Sequence, residues 1–269
     1  MTAETMAANV AAIRNEGRTF VRNGAIGHGD SFFHSRRLDV VEDLRRSFEL
    51  RHRVYCEERG FLVAEDYPEG LESDNFDEHS LHFGSFNRDD ELVGTVRLVR
   101  GRLNRLPLHQ HCPLYPEEMK TLGSITNLTE ISRLAVGRSY RRRAADGGFG
   151  LAGADSAVTA ERGNGSRRSG NTIVLTLYRA IYQAFKQHRI RHVLAAMEPS
   201  LRRVLARYHF PFLAIGPAVD YYGPVVPYYL DVDLLDRNLA KNFPELLRYF
   251  NDGRDLRDNA AVADEGMAA

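Results

Sequence analysis

ELVGTVRLV, residues 91–99, is the stretch on which the fold turns. In an extended strand Leu92, Gly94, Val96 and Leu98 fall on one face, and Val93, Thr95, Arg97 and Val99 on the other. An arginine in mid-strand among such neighbours needs a carboxylate partner if it is buried. HSLHFGSF (79–86) lies just upstream, and Asn87-Arg88-Asp89-Asp90 between the two is a turn-like cluster. Together they predict a hairpin.

Working outward, LTEISRLAV (128–136) reads as a further strand. Glu130 and Arg133 are three apart, which a regular strand puts on opposite faces; a bulge between them would bring both to one side. Upstream, a helix pattern begins near Asp39, with Val41, Leu44, Phe48, Arg51 and Tyr55 at helical spacing. Arg51 and Tyr55 are one turn apart and share a face. Residues 60–78 are acidic, contain Gly60, Pro68 and Gly70, and read as a loop that carries Asp74 and Asp77. Pro107, Pro113 and Pro116 keep any helix between 101 and 127 short. A longer helix is expected over 172–189, with Val174, Tyr178, Ile181, Tyr182 and Phe185 on one face. HVLAAME (192–198) follows as a buried strand, and Ser200 is placed to cap a helix through about Tyr208. Two more strands are expected between Phe212 and Leu230, around Tyr222-Gly223-Pro224.

This order predicts an α/β (α+β) domain over 32–251, a mixed central sheet flanked by helices. Residues 1–31 read as a loose arm or short helix, and 252–269 as a frayed, charged, Ala-rich tail. Residues 144–170 hold seven glycines and little apolar content, and read as a mobile insertion.

The chain has 269 residues, 43% of them apolar and 27% charged, which suits a soluble globular protein. No run of 18 apolar residues occurs, so no transmembrane helix is expected. The first residues do not read as a secretion signal. Cys56 and Cys112 make no disulfide framework, and a cytoplasmic location is expected. His109, His111 and Cys112 have loose metal-like spacing without a fourth ligand, so no metal site is expected.

RHRVYCEERGF (51–61), DNFD (74–77), ELVGTVRLV and EISRLAV (130–136) resemble the ordered blocks of the acyl-homoserine-lactone synthases and their relatives. Those relatives include the N-acyl amino acid synthases and the acyltransferases associated with PEP-CTERM/exosortase systems. The resemblance covers about residues 40–140; 171–230 match in element order. It implies the GNAT fold and transfer of a fatty acyl chain from an acyl carrier protein to an amine. It also implies that Arg51, Asp74, Asp77, Arg97, Glu130 and Arg133 line or support the acceptor side, with Tyr55 and Phe61 at the family's aromatic places. The homoserine-lactone synthases favour tryptophan at the second of these, and this chain has none. That departure, the length and the 144–170 stretch point away from S-adenosylmethionine as acceptor. They point toward the amino acid synthase and exosortase-associated branch.

LAVGRSYRRR (134–143) follows the charged strand, and residues 133–143 hold five arginines and no acid. In GNAT proteins the corresponding turn presents backbone N–H groups to the pantetheine phosphate. Ala135, Val136, Gly137, Arg138, Arg141, Arg142 and Arg143 are therefore the expected donor-binding residues, and the Ala135 and Val136 amides could steady an oxyanion. Glu130 is expected to accept the amine proton, directly or through water. Beside arginines its carboxylate is expected to stay ionised and to be a weak base. No resident cofactor is expected; the co-substrate is an acyl-phosphopantetheine of acyl carrier protein or coenzyme A. The expected partners are an acyl carrier protein and a small-molecule amine, with a product able to associate with membranes. Rival readings are an acyl-CoA-dependent acetyltransferase with a narrow acyl pocket, an autoinducer synthase using S-adenosylmethionine, and a nucleic-acid-binding regulator. A formal net charge of zero and the lack of a reading helix count against the last, so no nucleic-acid partner is expected. Reversal of Arg141, Arg142 and Arg143 to glutamate is expected to raise the KM for acyl carrier protein strongly and for a small pantetheine thioester much less. Steady-state kinetics with both donors checks this.

Overall fold

The computed structural model describes residues 33–140 and 169–252. The expected arm at 1–31, most of the 144–170 insertion and the tail beyond 252 lie outside those residues.

The hairpin forms where the alternation places it. β2 (Ser80–Phe86) and β3 (Leu92–Gly101) pair antiparallel, with His82 opposite Arg97. β4 (Leu128–Val136) pairs antiparallel with the other edge of β3. β1 (His34–Arg37) adds an edge strand to β2. The sequence reading missed it, because HSRR is four polar residues with no alternation to detect. Beyond β4 come β5 (His192–Met197), β6 (Leu213–Ala214), β7 (Val219–Asp220) and β8 (Pro224–Asp231). The sheet is eight-stranded, in the order β1-β2-β3-β4-β5-β8-β6, with β7 paired to β8. β4 and β5 run parallel and every other pair runs antiparallel.

Helices cover both faces. α1 (Val41–His52) runs directly into a π-helical turn, Arg53–Glu58. α2 (Pro107–His111) and α3 (Pro116–Gly123) are short, each opening on a proline whose missing N–H costs nothing there. These three lie on one face, with Leu106, Leu108 and Leu122 packed against Val99, Leu128 and Leu194. α4 (Ser169–Gln187) covers the other face, its Val174, Tyr178, Ile181, Tyr182 and Phe185 all buried. α5 (Pro199–Arg207), α6 (Val232–Asn242) and α7 (Pro244–Asn251) complete that side.

Two local expectations need correction. Val41 is 81% exposed, and of the expected helical residues Arg51 is buried, joined on the inner face of α1 by Asp43, Ser47 and Leu50. The helix looks onto charge, so apolar spacing misassigned its inner side. Ser200 does not cap α5: Pro199 takes the first helical position, Glu198 becomes the cap residue, and Ser200 donates to the Glu198 carboxylate at 3.0 Å.

Gly94 sets the distance between sheet and α4. A Cβ there would lie 2.7 Å from Ile173 Cγ2, on a β-branched side chain with little freedom to retreat. Gly94→Ala is expected to destabilise the fold by about 1–3 kcal/mol, read as a lower midpoint in urea unfolding.

Candidate active site

Three arginines meet three carboxylates on the α1 face of the sheet. Arg51, from α1, donates Nε to Glu72 at 2.5 Å and both terminal nitrogens to Asp77, at 2.7 and 3.0 Å. Arg97, from β3, donates Nη1 to Asp74 at 2.6 Å and to Asp77 at 2.7 Å, and Nε to the Ser132 hydroxyl at 3.1 Å. Arg133, from β4, donates Nε to Glu72 at 3.1 Å and Nη2 to Asp74 at 3.1 Å. Each carboxylate bridges two arginines, so the cluster is closed and its formal charges cancel.

Burial makes this pairing obligatory. Arg51 and Arg97 are each 1% exposed and Glu72 is 0% exposed. Burial works against the charged form of Arg51, but Glu72 and Asp77 outweigh it and its pKa is raised. Burial would likewise lift Asp74 and Asp77; the hydrogen bonds and charges of the arginines outweigh it and hold both below the usual carboxylate range.

A bulge makes the geometry possible. Opposite β3 the register shifts between Thr95 and Arg97, where β4 carries an extra residue, and Arg133 sits at φ +50°. On the near side Leu128, Glu130 and Ser132 share a face; beyond the bulge Arg133 and Ala135 take it over. Glu130 and Arg133 thus lie on one side, with Arg97, as a bulge between them was expected to place them. Aromatic rings hold Arg133, whose guanidinium lies 5.7 Å from the Tyr55 ring centre and 5.3 Å from that of Tyr222.

Next to the cluster is a cleft. β4 and β5 are paired from Leu128↔His192 to Ile131↔Ala195; beyond that register they no longer pair. Tyr55, Arg59, Glu130, Arg133 and Tyr222 are among its polar lining residues, and Phe61 lines it too. Leu134, Tyr178, Met197, Leu201 and Phe212 also line it and make much of its lining apolar. The Tyr55 hydroxyl donates to the Leu134 carbonyl at 3.0 Å.

Glu130 differs from the cluster acids. It is 1% exposed, and Oε2 accepts the Leu108 amide at 2.8 Å. No arginine reaches it within hydrogen-bonding distance among the described residues. Burial lifts its carboxyl to about 7, against the smaller opposing effects of the Leu108 amide, Arg97 and Arg133. This corrects the expectation of a fully ionised, weakly basic group. The arginines that would have held its charge are already committed to Glu72, Asp74 and Asp77.

The expected donor-side residues do not gather here. Ala135 and Val136 are wholly buried and paired with Thr95 and Gly94, and the Gly137 amide donates to the Val93 carbonyl at 3.0 Å. None of the three lines the cleft, because regular pairing with β3 resumes beyond the bulge. Arg138 is exposed at the start of a short turn, and Arg141, Arg142 and Arg143 lie outside the described residues. His109, His111 and Cys112 form no metal cluster, nor does any other group among the described residues. The sequence reading missed Glu72, Arg59, Tyr221 and Tyr222. Glu72 was one acid among several in a loop, where no periodicity marks the buried one.

Glu72→Gln keeps the shape and removes the charge shared by Arg51 and Arg133. It is expected to cost about 3–5 kcal/mol, measured by chemical denaturation.

Residues 50–148 match the acetyltransferase (GNAT) domain family. No curated protein matches the sequence significantly. Among solved structures, the chain is similar to FeeM, an N-acyl amino acid synthase from uncultured soil microbes. The identity is 17%, the TM-score is 0.54, and the match covers 78% of this chain and 96% of FeeM. It is similar also to BjaI, a CoA-dependent acyl-homoserine lactone synthase, with 20% identity, a TM-score of 0.53 and coverage of 79% and 89%. A third is the acyl-homoserine lactone synthase LasI, with 14% identity, a TM-score of 0.52 and coverage of 76% and 91%. The match of residues 50–148 and the likeness to these structures agree on the fold: the mixed sheet and its flanking helices have the GNAT arrangement.

Proposed function

We propose that this protein is an N-acyltransferase that moves a fatty acyl group from a phosphopantetheine thioester to the amine of an amino acid or similar small molecule. One observation carries the reading: Glu130 is a buried carboxyl lifted to about 7, in a cleft lined by both charged and apolar side chains. A general base works best with a pKa near the operating pH. The apolar lining of Leu134, Tyr178, Met197, Leu201 and Phe212 suits a hydrocarbon chain and favours a fatty donor over acetyl.

In the reaction the amine nitrogen bonds to the thioester carbonyl carbon and the C–S bond breaks. Glu130 takes the proton that the attacking amine loses, and the sulfur leaves as thiolate, which gains a proton. The ion cluster holds β3, β4 and the 60–78 loop rigid around the base. FeeM's description as an N-acyl amino acid synthase supports an amino acid as acceptor. BjaI's description as CoA-dependent supports an acyl thioester as donor. Acyl carrier protein is our preferred form of that donor, on the arginine-rich 133–143 run. The exosortase-associated branch is the preferred relation on the sequence blocks quoted above. No described helix is long and apolar enough to cross a membrane.

Mass spectrometry of lipid extracts from cells overproducing the chain is expected to reveal acylated amines, and an unchanged lipid profile would contradict the reading. With the purified enzyme, kcat/KM is expected to rise with pH through about 7, as Glu130 loses its proton and can act as base. Above that it should level off. Glu130→Gln is expected to lower turnover by about 100-fold or more and to remove that pH step, while circular dichroism shows the fold intact.

A further inference from the structure

Among the described residues, the cleft holds one cation that the ion cluster leaves over. Arg59 follows the π-helical turn and lines the cleft together with Tyr55 and Phe61. Its Nε and Nη2 are both shielded from solvent, and neither has a hydrogen-bond partner among the described residues. Leaving buried guanidinium donors unmet is costly, so the arrangement is incomplete as it stands. Arg97 also has one unmet nitrogen, Nη2, but its charge is already matched by Asp74 and Asp77. Arg51 and Arg133 are likewise matched. Arg59 has no ion pair of this kind among the described residues.

The identity of the two unmet atoms is informative. Nε–H and one N–H of Nη2 are parallel and form the side-on edge of a guanidinium. That edge takes two oxygens of one carboxylate in a pair of parallel hydrogen bonds. We propose that Arg59 is the specificity-determining residue of the acceptor site, binding the carboxylate of an amine that carries one, an amino acid. The inference rests on the acyl-transfer reading and narrows its acceptor. Glu130 lines the same cleft, so one small molecule can present its amine to the base and its carboxylate to Arg59. A simple amine would leave the Arg59 fork unmet. Such unmet groups are the basis on which a polar site rejects an analogue that lacks one substituent.

The test compares L-leucine with isopentylamine and L-phenylalanine with phenethylamine, each pair differing by the carboxylate alone, with decanoyl-CoA as donor. The parent enzyme is expected to favour the amino acid by on the order of 100-fold in kcat/KM. Arg59→Ala is expected to raise the amino acid's KM at least about tenfold with a smaller change in kcat, so that the preference collapses. Arg59→Lys keeps the charge but not the fork and should fall between the two. It also serves as the test variant should the alanine protein fail to fold. An unchanged preference in both variants overturns the proposal. A KM increase for decanoyl-CoA in place of the amino acid also overturns it, because Arg59 would then be reading the donor's phosphate. Calorimetric titration of the same amino acids into parent and variants, without donor, separates this inference from the acyl-transfer reading. Binding that is lost in Arg59→Ala supports the carboxylate role even if no turnover is seen. Equal binding in both proteins, or none in the parent, overturns it.

Discussion

The buried ion cluster is the constraint on which the rest of the architecture depends. Three guanidinium groups leave water only because Glu72, Asp74 and Asp77 each bridge two of them. A pair of buried charges is hard to stabilise; a closed ring with hydrogen bonds at nearly every polar atom recovers much of the desolvation cost. The ring also ties together parts of the chain that are distant in sequence. α1 supplies Arg51, the 60–78 loop supplies the acids, β3 supplies Arg97 and β4 supplies Arg133. A loop without regular secondary structure over most of its length is thereby fixed against the sheet.

The cluster also decides the chemistry of the residue it leaves out. Glu130 stands two residues before Ser132 on the same face of β4, yet the three arginines of the cluster direct their forks to Glu72, Asp74 and Asp77 and not to it. Its one hydrogen bond among the described residues comes from the Leu108 amide, and burial outweighs that bond and the charges of Arg97 and Arg133 and lifts its carboxyl to about 7. Asp74 and Asp77, in the same region, are held low by direct arginine contacts. Carboxyl groups pushed apart in this way divide into structural anions and a candidate base.

The cleft itself comes from strand geometry. Parallel pairing of β4 with β5 ends at Ile131 and Ala195, while β4 continues past the bulge to Val136. Arg133 at φ +50° is the strained residue at that point, held by two carboxylates and flanked by the rings of Tyr55 and Tyr222. The cost of such a conformation for a non-glycine residue is about 1–2 kcal/mol, small beside the ion pairs it permits.

The sequence by itself determined the hairpin, the long α4 and the strand at 128–136, because each has a period that local sterics and burial impose. It also marked Arg97 and Arg133 as needing partners, because a charge among apolar strand neighbours is anomalous without them. Only the tertiary structure decided the rest. Glu72 could not be told from the other acids of its loop, since what distinguishes it is contact with Arg51 and Arg133, both far away in the chain. Arg59 likewise looks ordinary in RHRVYCEERGF, and its unmet fork exists only once the cleft has closed around it. The lifted carboxyl of Glu130 depends on where the arginines are spent, and that is a property of the assembled ring. Periodicity is a local signal; the distribution of charge in a buried site is settled by contacts between distant segments, which composition and spacing do not encode.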